Sequence, residues 1–236
     1  MAAALNALPE NIRTRLDELA KSLEKALGDD LVGVLVHGSV VRGEYRAGES
    51  DVDVVIVLAK AKLESLRAMS DAVRLARYAA RIEAMILTEE EIGGAADAFP
   101  LLYDEIKRHN VVLAGRNAFE KVEVLDRHRR LRIEQELREA QIRLRRQVTD
   151  ALDQDALARA ILAKTKQIRS PLAALLALKG KATEPELAKV IAAAGKTWDV
   201  ATDKLVAARE SPDAAHVALS ELLDKAIADV NGMEEK

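Results

Sequence analysis

Residues 31–58 read LVGVLVHGSVVRGEYRAGESDVDVVIVL, and their pattern decides the fold. Leu31–Val36 is a short β-branched run, and Val52–Leu58 is almost continuously apolar over the length of a strand. Runs without polar alternation predict strands covered on both faces. A polar connection carrying Gly38 and Ser39 joins them. Asp51 and Asp53 stand two apart at the entry of the second run. An extended chain turns both side chains to one face, with Cα atoms about 6–7 Å apart. Their opposite-face neighbours Val52, Val54 and Ile56 are apolar. The two carboxylates therefore sit at the mouth of a buried strand, where unpaired charge is costly and a bound cation relieves the cost.

Outward from this segment, Ile12, Leu16, Leu19, Leu23 and Leu27 recur at three and four, which predicts an amphipathic helix over 11–27 closed by Gly28. Leu63–Ala80 predicts a second helix and 82–87 a third strand. Pro100 heads a helix over 101–109, since proline suits a first turn, and 111–113 predicts a short edge strand before Gly115. Beyond Asn117 the strand signals stop. Ala, Leu, Arg, Glu and Lys take over, punctuated by Ser170-Pro171, Gly180, Gly195 and Ser211-Pro212. The expected fold class is α/β in the broad sense: a small mixed β-sheet domain over 1–116, followed by an α-helical bundle domain over 117–236. The end of the chain, 231–236, is expected to fray.

The chain has 236 residues, enough for a catalytic domain and a smaller companion. With 49% hydrophobic and 32% charged residues it can build real cores, which excludes global disorder. It has no Cys and four His without clustering, which argues against a zinc site or a disulfide scaffold. The start of the chain lacks a basic segment before an apolar run, and charges interrupt every apolar stretch, so neither a signal peptide nor a membrane span is expected. The expected location is cytoplasmic. A formal net charge of −3 gives no global attraction to nucleic acid.

Gly38 lets the backbone approach a phosphate closely, and residues 40–45 are expected to form a turn or two of helix with Ser39 as N-cap. Amides there, with the helix dipole, favour a triphosphate tail. Arg42, and less directly Arg46, can neutralise phosphate charge, the alternative for Arg42 being a pair with Glu44.

His37-Gly38-Ser39, eleven intervening residues, then Asp51-Val52-Asp53 resembles the signature of the DNA polymerase β-like nucleotidyltransferase superfamily. Within it the chain resembles the minimal and kanamycin-type nucleotidyltransferases with a helical C-terminal domain, over about residues 30 to 115. The resemblance implies transfer of a nucleoside monophosphate to an acceptor hydroxyl, with ATP as the expected donor and Mg²⁺ held by Asp51 and Asp53. It also implies a third carboxylate from a later strand. Glu83 fits, because it projects from the face opposite Ile82, Ala84 and Ile86, although Glu stands where Asp is commoner; its alternative is a salt bridge to Arg81 or a helix residue. The expected site is thus Asp51, Asp53 and Glu83 for catalysis and metal, with Gly38, Ser39 and Arg42 for the nucleotide.

The expected partners are a nucleoside triphosphate, a small-molecule or protein acceptor, and a second copy of the chain in a homodimer, with neither membrane nor nucleic acid among them. An antitoxin-like protein adenylyltransferase and a nucleotide-binding module without turnover stand as alternatives. Eight Arg over 127–146 suggest a polyanion track, but Glu134, Glu136 and Glu139 favour a solvated helix laced with ion pairs. Trp198 reads as core rather than a stacking platform, and His37 as pocket-lining or structural. Arg209 and His216 faintly resemble the Arg and His pair of helical HEPN ribonucleases, though the same stretch reads equally as a helix start.

Overall fold

A computed structural model describes residues 2–233 of the chain and divides it into two compact units, Met1–Val124 and Leu125–Lys236. The elements of the first unit are helices α1 (Ala2–Asn6) and α2 (Glu10–Leu27), strands β1 (Leu31–Val36) and β2 (Val52–Leu58), helix α3 (Leu63–Ala80), strand β3 (Ile82–Thr88), helices α4 (Glu89–Gly94) and α5 (Pro100–Arg108), and strand β4 (Val111–Gly115). The four strands form one mixed sheet in the order β3-β2-β1-β4. β1 pairs antiparallel with β2 and β4, while β2 and β3 run parallel. A parallel pair needs a crossover, and α3 supplies it.

Each face of the sheet is covered, as the unbroken apolar runs require. Val34, Val36, Val52, Val54, Ile56 and Ile82 pack with Leu16, Leu19 and Leu23 of α2 and Met69 and Ala76 of α3. Leu35, Val55 and Val57 point to the other face and pack with Ile92, Tyr103, Ile106, Phe119, Val122 and Val124. Phe119, Val122 and Val124 are thus core residues of the first unit, which for that reason extends to Val124 and past residue 116. The ring of Phe119 meets that of Tyr103 edge-on at 5.3 Å. Among the acids that follow β3, Glu91 closes a capping box with Thr88, so these residues start α4.

The second unit is helical among its described residues: α6 (Asp126–Asp150), α7 (Gln154–Gln167), α8 (Arg169–Leu178), α9 (Leu187–Trp198), α10 (Asp203–Val206) and α11 (Pro212–Asn231). Its buried stripes include Ile133, Leu137, Ala140 and Leu144 on α6 and Leu219, Leu222, Leu223 and Ala226 on α11. Among the described residues, six of the eight arginines over 127–146 find acids on their own helix at helical spacing, including Arg130 and Arg138 with Glu134 and Arg132 with Glu136. Trp198 is buried and its Nε1 donates to Asp229 Oδ2 at 2.7 Å, with Lys179 Nζ on the same carboxylate. Gly180 and Pro212 bound helices, whereas Gly195 lies inside α9. A Cβ there would come within 2.4 Å of Thr202 Oγ1, so close packing, not helix termination, selects that glycine. The frayed tail expected over 231–236 begins inside α11, and 234–236 lie outside the described residues. Among the described residues no helix is long and apolar enough to cross a membrane.

Gly33 and Gly115 face each other across β1 and β4. A Cβ on Gly33 would lie 2.2 Å from Arg116 O, and one on Gly115 would lie 2.3 Å from Val32 O, where φ is also +64°. Gly115→Ala is expected to destabilise the first unit by about 1–3 kcal/mol, the usual cost of a non-glycine residue held in a disfavoured conformation, read as a lower urea midpoint at unchanged m-value.

Candidate active site

The parallel register of β2 and β3 brings Asp53 opposite Glu83, as direct Cα partners. Residues paired this way present their side chains to the same face of the sheet, and adjacent strands lie about 4.8 Å apart. On the other flank the amide of His37 donates to Asp53 O at 3.0 Å, which extends the antiparallel pairing of β1 and β2 by one step. Alternation then directs His37, Asp51, Asp53 and Glu83 to the face that carries Leu35, Val55 and Val57. One end of that face is polar while the rest is core.

Gly38 follows with φ +71°, and an added Cβ would lie 2.1 Å from Asp53 Oδ2. Only glycine allows the carboxylate and this turn to share the volume. Residues 38–43 form consecutive turns rather than the helix expected from Ser39 onward. The amide of Arg42 donates to Gly38 O at 3.2 Å and that of Glu44 to Ser39 O at 2.9 Å, after which the chain departs. A single α-like turn is made and then abandoned, because Gly43 takes φ +76°.

Arg42 sits under this turn, its side chain mostly buried. Its Nε donates to Glu44 Oε2 at 2.9 Å and its Nη1 to Glu105 of α5. The guanidinium is therefore paired with two carboxylates, one of which is the partner expected as its alternative. Arg46 lies near Glu49 on its own exposed loop, at 3.7 Å. Glu83 is half exposed and bonds Arg77 of helix α3 through Oε1 at 3.1 Å, whereas Arg81, the other expected alternative, takes Asp51 at 2.9 Å. Among the described residues no three His, Asp or Glu side chains converge so as to hold a metal on their own. A cleft of about 1020 Å³ in the same unit, lined among others by Arg13, Asn110 and Asn117, has none of the three carboxylates in its wall.

Burial dominates the electrostatics. It pushes the Asp53 carboxyl up to about 6; Arg42 opposes the rise, and the charges of Asp51, Glu105 and Glu83 add to it. At neutral pH a half-buried carboxylate thus sits among like charges, with Arg42 as the nearby cation. His37 moves the other way, down to about 4, again chiefly by burial, with Glu105 opposing and Arg42 assisting. It is a neutral imidazole at physiological pH and supplies no charge for a phosphate. The sequence does not single out Glu105 or Arg77, and it offers Arg81 only as a partner for Glu83. Glu105 belongs to no motif and is brought in by α5, while Arg81 carries one local signal: it closes a helix where Gly or Asn is usual.

Residues 16–142 match the sequence profile of the nucleotidyltransferase domain family, more than half of the chain and across both compact units. The chain belongs to this nucleotidyltransferase family, and its activity is nucleotidyl transfer. No curated protein sequence matches it. Among solved structures it is similar to the crystal structure of spectinomycin adenyltransferase AAD(9) from Enterococcus faecialis with ATP and spectinomycin. The two are 14% identical, with a TM-score of 0.57 over 90% of this chain and 98% of that one, a likeness of fold.

Opposite shifts at two neighbouring groups make a specific pH signature. Asp53, raised from 3.8 to about 6, favours the folded state at low pH and loses that contribution as pH rises through 6. His37, lowered from 6.5 to about 4, favours the folded state above 6.5 and loses that contribution as pH falls through 4. Between about 4 and 6 the folded and unfolded chains hold the same number of protons on this pair, on Asp53 in one and on His37 in the other. The pair therefore adds no slope to stability in metal-free buffer. His37→Gln is expected to gain stability relative to the parent on acidification across this window, and Asp53→Asn to lose it, each by up to ~1.4 kcal/mol per pH unit. Denaturant titrations at stepped pH read both slopes; parallel curves for all three proteins would contradict the assignment.

Proposed function

We propose that Asp51 and Asp53 hold Mg²⁺ and that the turn at Gly38 and Ser39 receives the triphosphate, so that the protein transfers AMP from ATP to an acceptor hydroxyl. The observation that carries this reading is the contact between Asp53 and Gly38. A carboxylate charged at neutral pH is held half-buried against a turn whose glycine leaves it just enough room. Such crowding has a purpose when both groups face one ligand that brings a cation and phosphate together.

The donor set fits Mg²⁺, because the groups are oxygen-only carboxylates and this ion is commonly held by one or two of them plus substrate phosphates. Bound there, the ion would neutralise charge on the triphosphate and on its pyrophosphate leaving group. The chain's own residues supply the rest. Amides ahead of Arg42 in the turn, with the Ser39 hydroxyl, receive phosphate oxygens. Arg42 braces the turn from below through Glu44 and Glu105, and its positive charge faces the same phosphates. Glu83, level with Asp53 across β2 and β3, takes the proton from the acceptor hydroxyl once it leaves Arg77. The acceptor oxygen then bonds the α-phosphorus as the bond to pyrophosphate breaks.

A small hydroxylated molecule is the acceptor class we favour, because the structural neighbour was crystallised with ATP and spectinomycin. A chain without Cys suits the reducing cytoplasm. Incubation with α-labelled ATP and Mg²⁺, with aminocyclitol and aminoglycoside alcohols or with cell extract, tests this directly. Label on the small molecule supports the reading, label on a protein band assigns a protein acceptor, and no labelled product from any triphosphate rejects it.

Asp51→Asn and Asp53→Asn are each expected to abolish labelling while circular dichroism stays native, since neither carboxylate belongs to the apolar core. Glu83→Gln keeps size and hydrogen bonding but removes the base. Its transfer rate is expected to fall by roughly a hundredfold or more, the usual scale for lost acid–base help, with triphosphate affinity changing less. A folded Glu83→Gln protein with the parent rate would remove Glu83 from the mechanism.

A further inference from the structure

Asp51 precedes β2 and ends a connection, 46–51, that contains Gly48 at φ +80°. A ligand carried by such a segment is useful only if something outside the segment orients it. Arg81 has that position. It stands between α3 and β3 in the left-handed conformation, φ 52° and ψ 39°, and its amide closes α3 on Ala76 O and Arg77 O. Its carbonyl accepts from the amide of Val52, at 3.0 Å. The guanidinium reaches over the connection, with Nη1 on Gly48 O at 2.9 Å, Nη2 towards Glu49 O at 3.4 Å and Nε on Asp51 Oδ1 at 2.9 Å. Nη2 lies 2.9 Å from the same Asp51 oxygen.

Two features separate this from an ordinary surface pair. Both close approaches fall on Oδ1, so the fork grips one oxygen of Asp51 and leaves Oδ2 outside its bonds. Glycine is the residue that adopts a left-handed helix end most easily, yet the chain carries a long cationic side chain here. As a half-exposed ion pair it contributes little to stability.

We propose that Arg81 is the positioning residue of the metal site: it holds Asp51 by Oδ1 and pins residues 48–49, so that Oδ2 is presented to a divalent cation together with Asp53. This rests on the reading of Asp51 as a metal ligand. The opposing possibility is plain electrostatics, in which a guanidinium beside the site repels the cation and its removal tightens binding. The two readings give opposite signs.

The test uses the full chain with a non-hydrolysable ATP analogue and Mn²⁺, whose free-ion electron paramagnetic resonance signal reports binding. Arg81→Gly keeps the left-handed conformation and removes the fork. It is expected to weaken Mn²⁺ binding by ~10- to 100-fold, the usual scale for losing a residue that orients a ligand, at nearly unchanged melting temperature. Arg81→Lys, which keeps charge without the planar fork, is expected to fall between this variant and the parent, and it serves as the test if Arg81→Gly does not fold. Added to Asp51→Asn, Arg81→Gly should cause no further loss. Mn²⁺ affinity equal to or tighter than the parent in Arg81→Gly, while Asp51→Asn loses it, overturns the role of Arg81. Parent-like affinity in Asp51→Asn shows instead that the metal-ligand reading has failed, and this inference with it.

Discussion

A carboxylate and a glycine turn compete for the same few cubic ångströms at the end of two antiparallel strands, and the rest of the site depends on that competition. Asp53 cannot move away, because its backbone is locked between His37 on one side and Glu83 on the other. The turn cannot move away either, since β1 delivers it there and Arg42 braces it against α5. Gly38 resolves the clash by having no side chain. What remains is a half-buried acid whose proton affinity is raised by its surroundings, beside a backbone that is open to anions.

The topology explains why the surrounding cations come from where they do. A parallel pair of strands requires a return helix, and α3 ends at the edge of the sheet where β2 and β3 both begin. Residues near that helix end are thereby set beside the carboxylates of both strands. Arg77 takes Glu83 and Arg81 takes Asp51, so the crossover supplies a cation to an acid at each strand's end of the site. The charge pattern is thus a product of strand order as much as of any motif.

Much of this was legible in the sequence, and the failures have physical causes. β1, β2 and α3 were readable to the residue because their apolar runs are uninterrupted and their flanks are polar. The pairing of Asp53 with Glu83 was half readable: alternation fixes the face of each side chain, but register comes from the sheet. The turn after Ser39 was misread as helix, since an N-cap residue followed by valines says nothing of the exit at Gly43. Residues 117–124 read as the start of the helical domain because the strand signals stop there; only tertiary packing makes Phe119, Val122 and Val124 core of the first unit. Glu105 and Arg81 were invisible as site residues because their partners lie far along the chain.

The aromatic residues are divided between the two compact units in a way that makes the protein its own spectroscopic probe. The single Trp, at 198, belongs to the second unit, while Tyr45, Tyr78 and Tyr103 all belong to the first. Trp198 donates from its indole nitrogen to Asp229, a polar, partly charged environment that opens to water when the helices separate. Light absorbed only by indole therefore follows the helical unit alone. The phenols, among them Tyr103 packed edge-on against Phe119, report on the first unit. One unlabelled sample can thus report whether the two halves melt together or apart.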